Sequence, residues 1–249
     1  MLEINTLTQY LATILQVEKF KDYCPNGLQV AGVGNVKKIV TGVTANMALL
    51  EAAVAEGADA VLVHHGYFWR NEDPCVVGLK RNRLAFLLKH NVHLLAYHLP
   101  LDMHATFGNN VQLGRVLQLS NIQFGGENNM IAFADLAAPI PLSNMAAQIE
   151  TTLNRAPLVL GNPEKAVQKV AWCTGAAQNY FEQAIALGAD VYISGEVSEQ
   201  TTHIAHETGV AYIAAGHHAT ERYGVQALGA HLAEYFNISH TFIDSDNPV

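Results

Sequence analysis

The chain has 249 residues, half of them apolar, with 14 basic against 22 acidic side chains and a formal net charge of −8. That length can bury one large core or two small ones, and the acidic balance argues against a general nucleic-acid backbone binder, which needs surplus Lys and Arg. Three cysteines (Cys24, Cys75 and Cys173) with no CxxC spacing argue against both a disulfide framework and a thiolate zinc site.

The opening residues lack a cationic region followed by an apolar run, so no signal peptide is expected. No stretch approaches the roughly 20 apolar residues that span a bilayer. A cytoplasmic protein with no membrane partner is the expectation. Pro25-Asn26-Gly27 has the composition of a turn, with nothing catalytic about it.

Next comes a β-branched run, Ile39–Thr41, read as a buried strand, then a helical pattern of Ala, Leu and Glu. Gly57 stands where a helix C-cap needs positive φ, and Ala60–Val63 is a second strand. A helix is expected at Leu84–His90 and a strand at Val92–Tyr97. The stretch Ser120–Gly161 reads as more irregular, with a helix at Ser143–Asn154 and turns at Pro139, Pro141 and Pro157. The first pattern then returns. Strands are expected at Val170–Trp172, Val191–Ile193, Val210–Ala214 and His240–Ile243, and helices at Glu199–Thr208 and Gly224–Phe236.

Lys38–Gly66 and Lys169–Val197 align without a gap at an offset of 131, retaining Gly-Ala-Asp at Gly57–Asp59 and Gly188–Asp190. Each segment is a βαβ unit, which implies parallel strands and a right-handed crossover. An internal duplication is therefore expected. It gives an α/β fold of two related halves, residues 1–124 and 125–249, with mixed, mostly parallel sheets and a three-layer α/β/α character.

In open α/β sheets, ligands sit beyond the carboxyl ends of the parallel strands. Four polar clusters fall there: His64-His65-Gly66, His98 with Asp102, Gly195-Glu196, and His217-His218 with Glu221. His217 and Glu221, four apart, share one helix face. His98 and Asp102 have the same spacing, but Leu99-Pro100-Leu101 between them reads as a turn. Imidazole with carboxylate suits iron, zinc, manganese or nickel. Three histidines (His64, His65, His217) and two carboxylates (Asp102, Glu221) exceed one catalytic zinc site, so two divalent ions are expected, with a carboxylate such as Glu221 able to bridge them. The other histidines (His90, His93, His104, His203, His206, His231 and His240) read as surface or structural. Lys80–Arg83 is either a phosphate clamp or a solvated helix start. Tyr67-Phe68-Trp69 either stacks a base or packs.

The motifs GVTAN (Gly42–Asn46), GADAVLVHHGYFW (Gly57–Trp69), HLPLD (His98–Asp102), GEVSEQ (Gly195–Gln200) and AAGHHATE (Ala214–Glu221) together resemble the GTP cyclohydrolase I type 2 homologues, the NIF-three-like family. The resemblance runs from Asp22 to Asp244. It implies two intertwined α/β halves and a dinuclear metal centre. By position, His64, His65, Asp102, His217 and Glu221 would be the ligands, with Glu221 bridging and His98 close by. It also implies a toroidal homohexamer, a trimer of dimers or a dimer of trimers, with the metals facing an inner cavity. The activity expected is metal-dependent hydrolysis of a small anionic nucleotide, with His98 or Glu196 moving protons. The alternatives are a non-enzymatic metal-binding oligomeric scaffold or a DNA-damage or nucleotide-related partner protein. Nucleic-acid binding is disfavoured by the charge, though a basic-lined ring would permit it.

Overall fold

A computed structural model describes residues 2–249. Among them are nine α-helices and eleven strands. In chain order the elements begin with α1 (Ile4–Ile14), β1 (Gly27–Val30), β2 (Lys38–Thr44), α2 (Met47–Ala55), β3 (Ala60–His65), α3 (Gly78–His90), β4 (His93–Ala96) and α4 (Leu99–Asp102). There follow α5 (Asn109–Val116), β5 (Gln123–Gly125), β6 (Ile131–Pro141), α6 (Leu142–Leu153), β7 (Leu158–Leu160) and β8 (Ala166–Cys173). The last are α7 (Phe181–Ala186), β9 (Val191–Ser194), α8 (Glu199–Thr208), β10 (Ala211–Ala214), α9 (His217–Phe236) and β11 (Ser239–Phe242). None of the described helices is long and apolar enough to cross a membrane.

The chain divides into two compact units, residues 1–108 with 224–246 and residues 109–223 with 247–249. A break after residue 124 was expected, and the difference has a packing cause. Helix α5 lies before that break, yet its Leu113 joins the core of the second unit. Its Gly114 lies so close to Trp172 that an added Cβ would come within 2.6 Å of the indole. At the other end, Val225, Leu228 and Leu232 of α9 join the core of the first unit, and β11 pairs in parallel with β2.

The first unit has a five-stranded sheet, β1-β4-β3-β2-β11, parallel except for β1. Alternate residues face opposite ways. Ile39, Leu62 and Leu95 pack on one side with α1 and α9, while Val40, Val61 and Leu94 pack on the other with α2 and α3. This is the α/β/α layering expected. The second unit has a six-stranded sheet, β5-β6-β8-β9-β10-β7. Its centre, β8-β9-β10, is parallel, and antiparallel strands flank it. Val170, Trp172 and Ile193 face α5 and α6, and Ala171 and Tyr192 face α7 and α8. The stretch 120–161 is more ordered than its prolines suggest, since β6 is an eleven-residue strand. Its ladder with β8 shifts register between Asp135 and Ile140, an interval that contains Pro139 and ends just before Pro141. That interruption hides a strand from a pattern search.

The duplication extends to individual bonds. The register Ile39↔Ala60 and Val40↔Val61 recurs as Val170↔Val191 and Ala171↔Tyr192. Asp59 Oδ2 accepts the amides of Lys37 and Lys38 at 2.7 and 2.9 Å, and Asp190 Oδ2 accepts those of Gln168 and Lys169 at 2.9 and 2.8 Å. Asp59 thus holds the start of β2, and Asp190 holds the equivalent point within β8. Gly57 and Gly188 close the preceding helices at φ 72° and 81°. Hydrogen bonds to a charged group contribute roughly 1.5–3 kcal/mol when buried and less when exposed. Asp59→Ala and Asp190→Ala should therefore each cost about 1–2 kcal/mol, by nearly equal amounts, in urea unfolding followed by a signal from the altered unit. A neutral result at either would remove the structural reason for retaining the triplet.

Candidate metal centre

In the first unit, β3 ends on His64 and His65. The parallel pairing of β2 with β3 brings Thr44 opposite His65, and Thr44 Oγ1 lies 3.1 Å from His65 Nδ1. His64 is fully buried. Its Nδ1 donates to the Tyr97 carbonyl at 3.0 Å, because a carbonyl can only accept, and its Nε2 lies 3.4 Å from Asp102 Oδ1. Asp102 is carried by α4, so the segment between His98 and Asp102 is a single turn of helix, where a non-helical turn was expected. His98 is the N-cap, and its carbonyl accepts the Asp102 amide at 3.1 Å. Pro100 is tolerated because a first-turn residue needs no amide partner. Ring nitrogens of His64, His65 and His98 lie within 4.8 Å of one another.

In the second unit, β10 leads into α9, which opens with His217. One turn on, Glu221 presents Oε2 at 3.1 Å from His217 Nε2. The other ring nitrogen, Nδ1, is 2.7 Å from Glu196 Oε1, beyond the end of β9. Burial would lower the His217 pKa, but the hydrogen bond and charge of Glu221, and then those of Glu196, outweigh it and raise the value to about 9. In the absence of metal this histidine holds a proton that a cation would have to displace. Gly175 lies against the pair, and a Cβ there would meet Glu221 Oε1 at 2.2 Å.

The donor set fits a hard or borderline divalent metal. His64 and His217 each commit Nδ1 to an outer acceptor and turn Nε2 to a carboxylate. Such outer contacts orient metal-binding imidazoles. Each unit therefore holds part of the expected ligand set in a suitable arrangement, His64, His65 and Asp102 in one and His217 and Glu221 in the other. His98 belongs to the first group. Glu196, expected as a proton carrier, lies on the outer nitrogen of His217.

Several neighbours are absent from the sequence reading. Asp22 Oδ1 lies 2.7 Å from His98 Nδ1, and Asn26, assigned above to an inert turn, accepts the His98 amide at 2.7 Å. Cys24 lies close to both Asp22 and His98. Burial, then the Asp22 charge, pushes its thiol up to about 12. The contacts with His98 join residues more than 70 positions apart, so no local pattern announces them. The basic cluster is less available than a phosphate clamp requires. The Lys80 ammonium is held by the Asp73 carbonyl at 2.7 Å and by Glu72 at 3.3 Å, and Arg83 lies over the Tyr67 ring. In the aromatic run, Tyr67 packs, with its hydroxyl on the Ala45 carbonyl, and Trp69 stands edge-on to His98 with centroids 5.0 Å apart.

The family model for Duf34/NIF3 (NGG1p interacting factor 3) matches residues 2–248. The chain belongs to that family. A Duf34/NIF3 relative from Pseudomonas aeruginosa is 52% identical over 250 residues, covering 98% of both chains, and is called a GTP cyclohydrolase 1 type 2 homolog. One with the same name from Neisseria meningitidis is 50% identical and covers 94% of both. A solved structure of the protein ybgI, described as of unknown function, is 48% identical, has a TM-score of 0.94 and covers 100% of both chains.

Proposed function

We propose that the chain binds two divalent metal ions through His64, His65, Asp102, His217 and Glu221, and that it is a cytoplasmic, metal-dependent hydrolase of a nucleotide, assembled as a homohexamer. The observation that carries the metal assignment is the orientation of His64 and His217, each with Nδ1 on an outer acceptor and Nε2 beside a carboxylate. Iron, zinc, manganese and nickel all suit such donors. A bound divalent ion supplies Lewis-acid polarisation and a lower pKa for water. Asp102 and Glu221 balance cationic charge. Glu196 orients His217, and His98 exchanges a proton with substrate or solvent at Nε2. The name carried by the relatives supports a purine nucleotide such as GTP as the substrate class.

The test is turnover of GTP and of a panel of nucleotides and phosphoesters, by protein stripped of metal and reloaded with each candidate ion. Restored product formation is expected for at least one ion, with a loss of at least about 100-fold in His217→Ala/Glu221→Ala, since two ligands acting through one function are removed together. Absence of any metal-dependent product would overturn the hydrolase reading. Retention of both ions by the double variant would overturn the ligand assignment. Light scattering of the same samples checks the hexamer.

A further inference from the structure

The segment before β1 wraps the imidazole of His98. Asp22 Oδ1 accepts the Tyr23 amide at 2.6 Å and faces His98 Nδ1 at 2.7 Å, while Oδ2 accepts Asn26 Nδ2 at 2.8 Å and the Leu99 amide at 2.9 Å. The Asp22 side chain is only 3% exposed. Asn26 completes the frame by accepting the His98 amide through Oδ1. Arg70 fastens it from outside, donating to the Asp22 carbonyl at 2.8 Å and lying over Tyr23. Trp69 and Tyr23 stand edge-on to the His98 ring. An arrangement with this many independent bonds fixes both the position and the rotation of one side chain.

We infer that Asp22 is the positioning residue of His98, holding its proton on Nδ1 and leaving Nε2 as the acceptor of a ring that lies beside those of His64 and His65. An ionised carboxylate only accepts, so the nitrogen it meets must carry the proton. The functional consequence, that His98 enters a reaction as a base at Nε2, rests on the proposed function above; the tautomer itself does not. Asn26 supports Asp22 without touching the His98 ring nitrogens.

Asp22→Asn makes the inference testable. An amide offers one acceptor oxygen and one donor group. Each oxygen meets two donors, but His98 can move its proton and the others cannot, so the Asn26 and Leu99 groups at Oδ2 outweigh the single Tyr23 amide at Oδ1 and favour keeping the oxygen at Oδ2. The new NH2 then faces His98 Nδ1 and demands a lone pair from it, which moves the ring proton to Nε2. The measurement is long-range 1H–15N correlation of the zinc-loaded full chain, with the His98 signals assigned by comparison with His98→Gln. Wild type should show the Nδ1–H tautomer, Asp22→Asn should shift it to Nε2–H, and Asn26→Ala should leave it on Nδ1. Zinc content should be unchanged in all three.

An Nε2–H tautomer in wild type would overturn the inference even if the variants failed to fold. So would a tautomer that survives in Asp22→Asn, one lost in Asn26→Ala, or zinc lost from Asp22→Asn with the tautomer intact. If the wild-type chain took up no zinc, the metal reading would fail while the tautomer stayed readable in the metal-free protein.

Discussion

His64→Ala should lower bound metal to less than a tenth of the wild-type content after equilibration with a competing chelator, measured by elemental analysis. His64 is fully buried, so the imidazole cannot be replaced by a solvent-borne ligand without opening the first unit. Truncation also removes the group facing Asp102 Oδ1 and leaves the Tyr97 carbonyl without its imidazole donor. An unsatisfied buried acceptor costs about 1–3 kcal/mol, so a modest loss of stability should accompany the loss of metal. Thr44→Val offers a graded comparison. It keeps every donor nitrogen but removes the oxygen beside His65 Nδ1, and outer partners of this kind are worth roughly 10–100-fold in affinity. His90→Ala, at an exposed position on α3, should change nothing. Equal metal content in His64→Ala and His90→Ala would exclude His64 as a ligand.

The ranking of those variants could not have been reached from the sequence. What is legible there is periodicity and recurrence. The strand-end positions of His64, His98 and His217 follow from short apolar runs bounded by glycine or, for His98, by Asn91 and Pro100, and the offset of 131 predicts equivalent strands whose register does recur. Partners across the chain are not legible. Nothing near Asp22 indicates that its carboxylate meets His98, or that the Thr44 hydroxyl meets His65, because sheet pairing and loop closure create these contacts after the chain has folded. The unit boundary was missed for a related reason. Nothing in the sequence of α5, or of the second half of α9, says which core it joins: Leu113 packs with Trp172, and Val225, Leu228 and Leu232 pack with the α1 face. The duplicated segments also diverge where function is carried: His64 and His65 correspond to Gly195 and Glu196. A repeat that had kept its histidines would have suggested two equal sites, whereas here one half supplies imidazoles at that edge and the other an outer carboxylate on His217.

Gly175→Ala should abolish metal retention as thoroughly as Glu221→Ala, although it alters no donor atom. The residue has φ 71°, where a side chain costs roughly 1–2 kcal/mol. Its backbone has no room to withdraw. The amide donates to Thr220 Oγ1 at 3.1 Å, and the carbonyl accepts from the Gly195 amide at 2.9 Å and from the Ser194 hydroxyl at 3.2 Å. A methyl group fixed there lies 2.2 Å from Glu221 Oε1 and 3.3 Å from His217 Nε2, so the carboxylate must swing away from the imidazole it faces. Gly188→Ala separates the two effects. That glycine has a similar φ, 81°, but no atom within 4 Å of the added carbon. Gly188→Ala should lose about 1 kcal/mol of stability and keep its metal, whereas Gly175→Ala should lose both. If Gly175→Ala kept a full complement of metal with a similar stability loss, Glu221 would not be held in place by that glycine, and its carboxylate could not be an essential ligand in the position described.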